Sequence, residues 1–167
     1  MKCTALVALA ALSLIGCGGP ESPGSPQTQA LTCKASASGS VMVENAWVRA
    51  QSDPTAMSAA YFHLCNGTTS PVTVNGLETP AARIVELHET TRDARGVVSM
   101  APTGPITLAP GEAVVFAPGG KHAMLMGLPA PIEENSTTTI SIQIEGGAAI
   151  SAEAKVMSAA DAAAHTH

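Results

Sequence analysis

Apolar residues in this chain come in short runs, each cut off within about ten residues by a turn signal. The runs occupy residues 41–50, 61–65, 72–77, 84–88, 97–100, 106–108, 113–116, 122–128, 138–144 and 149–157. Asn66-Gly67, Arg95-Gly96, Pro110-Gly111, Pro118-Gly119-Gly120 and Pro129 punctuate them. Residues 138–144 alternate cleanly, which puts Ile140, Ile142 and Ile144 on one face of a strand. In the first run Val41 and Val43 share a face, with Trp47 a candidate for the same one. Many short strands and frequent Gly and Pro turns predict a single all-β domain, a sandwich or barrel, over residues 41–157. Only residues 55–60 and 158–164 read as helical.

The chain is 46% hydrophobic and 13% charged, enough apolar material for a core. Its aromatics are Trp47, Tyr61, Phe62 and Phe116, so aliphatic residues and Met must build most of that core. Seven Met either fill gaps in it or act as soft metal ligands. Formal charge is −5, and Lys2 is the one charged side chain before residue 20. No basic patch exists, which argues against nucleic acid as a partner.

The first residues read as an address. Met1-Lys2 is followed by an apolar run over residues 4–15, too short to span a bilayer as a helix. Leu14-Ile15-Gly16-Cys17 resembles the box cut by lipoprotein signal peptidase, with Cys17 supplying the thiol that takes the lipid. We therefore expect a signal peptide at 1–16 and a lipidated, disordered tether at 17–40, rich in Pro, Ser, Gly, Gln and Ala. Gly18 after Cys17 favours the outer membrane, by resemblance to Gram-negative lipoproteins. Cys33 and Cys65 would then sit in an oxidising compartment. They form a disulfide, or remain an exposed and a buried thiol, or add metal ligands.

His88 ends one predicted strand, and Met100 ends the next. His122 and Met124 are two apart, so on a strand they point to the same side. If residues 88–100 form a hairpin, four side chains converge at one edge of the sandwich. Two imidazoles and two thioethers make a neutral, soft donor set that prefers Cu(I) over zinc or hard ions. Thioethers also avoid the oxidation that a thiolate would suffer outside the cytoplasm.

The spacing resembles that of the PCuAC family of periplasmic copper chaperones, whose motif is a His, a later Met, twenty-one residues, then His-x-Met. Twenty-one residues separate Met100 from His122, and eleven separate His88 from Met100. Family-like stretches include Asn45-Ala46-Trp47-Val48-Arg49-Ala50, Ala59-Ala60-Tyr61-Phe62, Glu86-Leu87-His88-Glu89 and the segment from Pro118 to Leu128. Glu89-Thr90 stands where the family often has a further Met. The resemblance implies a cupredoxin-like Greek-key β-sandwich. It also implies one Cu(I) held by His88, Met100, His122 and Met124. Delivery would be towards the CuA site of cytochrome c oxidase or through a thioredoxin-like copper chaperone, on the periplasmic face of the envelope. Some members carry tails that bind Cu(II); His165 and His167, in the tail at 158–167, are either a thin version of one or a solvated end. Met126 is an alternate ligand or core, and Met57 shields the site or lies free on the surface. His63 reads as structural, and Trp47 and Arg49 as packing and rim.

Four rivals follow. A blue-copper protein needs a Cys thiolate beside its His and Met ligands, and Cys65 is far in sequence from His122. An enzyme is not expected: no Gly-x-Ser-x-Gly, phosphate loop or HExxH occurs, and nothing places a nucleophile beside Glu86, His88 and Glu89. Copper storage or resistance, or a metal-free envelope binding module, would keep the same sandwich.

Overall fold

The computed structural model describes residues 31–32 and 39–165. The expected signal peptide, Cys17, Cys33, His167 and nearly all of the tether lie outside the described residues. Among the described residues eleven strands and one short helix follow one another: β1 (Leu31–Thr32), β2 (Val41–Arg49), β3 (Ser58–Asn66), β4 (Val72–Glu78), β5 (Ile84–Arg92), β6 (Val98–Pro102), β7 (Ile106–Leu108), β8 (Glu112–Phe116), β9 (Lys121–Met126), β10 (Thr137–Ile144), β11 (Ile150–Met157) and α1 (Ala159–His165). No helix among the described residues is long and apolar enough to cross a membrane.

Hydrogen bonding links the strands in the order β6-β5-β9-β8-β3-β2-β11-β10-β4-β7, with β1 beside β8. The pairings are antiparallel except β2 with β11 and β8 with β9. Long β3 is shared: its first half pairs with β9 and its second with β8. The two ends of this path fold over one another. Val74, Leu108, Ile140, Ile142 and Val156 from one end meet Phe62, Leu64, Leu87, Phe116 and Leu125 from the other in a single buried cluster. Phe62 and Phe116 stack at its centre, ring centroids 4.3 Å apart. The result is the expected cupredoxin-like sandwich, its core built mostly from aliphatic residues.

Two expectations are corrected. Residues 55–60 do not form a helix: a turn around Asp53 leads directly into β3 at Ser58. Asp53 Oδ1 accepts the Thr55 N–H and hydroxyl, a local bond that competes with helix formation. Trp47 does not share a face with Val41 and Val43. The pairing of β2 with β3 shifts register between Glu44 and Trp47, where Asn45 takes a φ of 52°. This bulge inverts the alternation. Val41, Val43, Ala46 and Val48 face the main core, while Trp47 turns outward into a second small cluster with Ala59, Tyr61 and Ala162. α1 covers that cluster, and Ser158 caps it by accepting the Asp161 N–H at 3.2 Å. The alternating Ile140, Ile142 and Ile144 face the core as expected.

Candidate metal centre

β5 and β9 pair in register, Glu86 opposite Met124 and His88 opposite His122. Leu87, Ala123 and Leu125 from these strands fill the core, so His88, His122 and Met124 stand on the outer face. β5 turns back as β6, an edge strand exposed throughout, which places Met100 opposite Thr90 and Pro102 opposite His88. The hairpin expected between residues 88 and 100 is thus formed, and Met100 lies diagonal to His88 on the same face.

The turn before β9 explains its glycines. Gly120 N–H donates to Ala117 C=O at 3.0 Å, with Pro118 and Gly119 between them. Gly119 has a φ of +81°, the left-handed conformation this turn demands at its third residue. The turn aims the Gly120 carbonyl at β5, where it accepts the Thr90 N–H at 3.1 Å. The same carbonyl lies 3.1 Å from His122 Nδ1, so it accepts from that nitrogen and leaves Nε2 with a lone pair.

His88 is arranged the other way round. Its Nε2 lies 2.9 Å from Glu86 Oε2, and a carboxylate only accepts, so Nε2 carries the proton. Its Nδ1 is buried without a hydrogen-bond partner. A buried polar atom left unmatched costs about 1–3 kcal/mol, a cost that a bound cation at Nδ1 would remove. The two imidazole rings are 6.1 Å apart between centroids, tilted by 45°.

A cavity of about 300 Å³ opens at this point, lined among others by Met57, Tyr61, Met100, Pro118, His122 and Met124. Tyr61 stacks on Trp47 at 4.3 Å and reaches towards His122, with ring centroids 6.4 Å apart. Burial pushes the Tyr61 hydroxyl above its ordinary pKa, partly offset by the Arg49 cation. Arg49 is thus a rim residue of this cavity, and Trp47 backs its wall. Among the described residues no three His, Cys, Asp or Glu side chains are placed to hold a metal ion. The donors that do gather are two imidazoles and thioethers, which suit a soft monovalent ion rather than zinc.

The other candidates fall elsewhere. Met126 is half-buried opposite Ile84, one step along the same face of β9 but outside the lining of the cavity. His63 is exposed beside Asn45, on a separate cavity. His165 ends α1. Cys65 is disulfide-bonded, which leaves no thiolate there for a blue-copper centre. The reading of Cys65 as a metal ligand is corrected for the same reason. One contributor went unassigned in the sequence: Glu86, legible only as the residue two before His88 on a strand, hence on its face. Of the two readings of Met57, shield or free surface, the structure places it on the lining of the cavity while leaving it exposed.

This sheet order and this face of His and Met residues define the chain as a PCuAC-like β-sandwich. The solution structure of apo-DR1885 from Deinococcus radiodurans matches it with a TM-score of 0.55 at 26% identity, over 87% of this chain and 95% of that one. The CuI-DR1885 structure matches with a TM-score of 0.51 at 26% identity, over 79% and 83%. The copper-bound PCuAC domain from PmoF2 shares the fold, with a TM-score of 0.58 at 21% identity over 72% and 94%. Residues 41–156 match the LpqE-like lipoprotein family, and the chain belongs to it. Lxx21020 of Leifsonia xyli subsp. xyli (strain CTCB07), designated a lipoprotein, is 32% identical over 142 residues, 84% of this chain and 80% of that protein.

Proposed function

We propose that this chain is a lipid-anchored copper chaperone of the cell envelope, not an enzyme, holding one Cu(I) through His88 Nδ1, His122 Nε2, Met100 and Met124. The observation that carries this reading is the buried, unpartnered Nδ1 of His88, whose ring lies 6.1 Å from that of His122 on the sheet face that also carries Met100 and Met124. Copper-bound relatives of the same fold support the choice of metal. All four donors are neutral, so the site stabilises the monovalent ion and gains no charge-driven preference for Cu(II). Met100 stands on an exposed edge hairpin, where an acceptor's ligands can approach.

Membership of a lipoprotein family supports anchoring at Cys17. Periplasmic and outer-membrane placement follow from the leader and Gly18. The recipient we propose is the CuA site of cytochrome c oxidase or a thioredoxin-like copper chaperone. His165 and His167 would add a weaker Cu(II) site. The test is a Cu(I) titration of the full chain against a chromophoric Cu(I) chelator. We expect one equivalent to be bound, and lost in the double variant His122→Ala, Met124→Ala while the fold persists by circular dichroism. Equal competition by wild type and double variant would overturn the assignment.

A further inference from the structure

We propose that Met57 is the entry and exit ligand of this centre. It takes Cu(I) at the mouth together with Met100 and Met124 before His88 replaces it. The inference rests on the Cu(I) reading above. Met57 lines the same cavity as Met100, His122 and Met124. It lies in the loop ahead of β3, and that loop is clamped. Arg49 Nη2 and Gln51 Nε2 both donate to the Met57 carbonyl, at 3.1 and 3.2 Å. The next residue, Ser58, is buried, and its hydroxyl donates to the Arg49 carbonyl. The Met57 carbonyl is therefore held at the cavity while its side chain stays exposed at the mouth.

Exposure orders the donors. Met57 and Met100 are each 53% exposed, Met124 is half-buried, and His88 and His122 are 7% and 6% exposed. The large hydrophobic side chains exposed among the described residues are Met57, Ile84, Val97, Val98 and Met100, so both exposed thioethers stand at this one mouth. A thioether left in water forgoes burial that its neighbours enjoy, and a soft cation gives it a use.

Exchange is a ligand substitution. A Met57 sulfur–copper bond forms as the donor protein's ligand leaves. It then breaks as the His88 Nδ1 lone pair binds the same ion. Copper stays Cu(I), and no proton moves, because Glu86 already holds His88 in the tautomer with Nδ1 free. Unloading runs the steps in reverse.

Two measurements on the full chain test this. In the first, Cu(I) passes from wild type and from Met57→Leu to a chromophoric chelator in a stopped-flow instrument. Met57→Leu is expected to keep its equivalent of Cu(I) and its equilibrium affinity but to release the ion about tenfold more slowly, about 1.36 kcal/mol on the barrier. An unchanged release rate overturns the proposal, and so does a matching loss of equilibrium affinity, which would make Met57 a resident ligand. In the second, isotope-labelled methionine methyl signals are followed as Cu(I) is added in steps. The Met57 methyl is expected to respond along with Met100 and Met124; an unmoved Met57 beside shifted Met100 and Met124 overturns the proposal. If none of the three responds and wild type takes up no copper, the Cu(I) reading itself falls and takes this inference with it.

Discussion

The proton on His88 Nε2 decides which of its nitrogens can meet a metal. Nε2 donates it to Glu86 Oε2 at 2.9 Å, and the carboxylate is half-exposed while the ring is buried. Removing an outer partner of a ligating His typically costs about 10–100-fold in metal affinity. Glu86→Ala should therefore weaken Cu(I) by at least about tenfold in chelator competition. Glu86→Gln, which can still accept through its amide oxygen, should weaken it less. Equal affinity in Glu86→Ala and wild type would mean that packing alone orients the ring. Because His122 is oriented by the Gly120 backbone carbonyl, no side-chain substitution has the same effect there.

The β5–β6 hairpin is the element that brings Met100 to the histidines, and its turn is tied by Asp93. Asp93 Oδ1 accepts the N–H groups of Arg95 and Val97, each at 2.9 Å. The Val97 N–H is the largest cause of a carboxyl held below its ordinary pKa of 3.8. These bonds favour the charged form, so their contribution is complete above pH 3.8 and is lost as the pH falls through the lowered value. Asp93→Ala should loosen the hairpin tip at neutral pH, seen as faster hydrogen exchange at Val97. It should weaken Cu(I) by less than the roughly tenfold cost of losing a ligand's own partner. Faster exchange with no change in Cu(I) affinity would show that Met100 is placed by β5 pairing alone. At the other end of the hairpin Lys121 Nζ meets Glu89 Oε1 at 2.6 Å across β9 and β5, partly exposed and therefore worth little by itself.

Across the whole molecule the site and the disulfide are separated along one strand. Ala59 of β3 pairs with Met124, whereas Cys65 pairs with Ala113 and Met42 at the strand's far end. Six residues of strand span about 20 Å. Replacing Cys65 with Ala should lower stability by about 2–5 kcal/mol in denaturant unfolding. It should leave Cu(I) affinity at its wild-type value. A parallel loss of affinity would show that the two ends of the sandwich are coupled. The comparison also guards the copper titrations, whose reductants attack the disulfide.

The strand pattern was legible in the sequence because it is local. Ile140 and Ile142 alternate with polar residues, and Pro118-Gly119-Gly120 can only be a turn, so periodicity and backbone freedom wrote those elements directly. His122-x-Met124 shares a face for the same reason. Trp47 was misplaced because a bulge at Asn45 inverts the alternation, and bulges depend on the partner strand. Residues 55–60 lost their helix because Ser58–Ala60 are claimed by pairing with β9. The sequence by itself determined that strands would form and which His and Met side chains they would carry. Only the tertiary structure decided that His88 faces His122, that Nδ1 of His88 is buried without a partner, and that Met57 lines the cavity. Those three facts depend on contacts between segments distant along the chain, which periodicity does not encode.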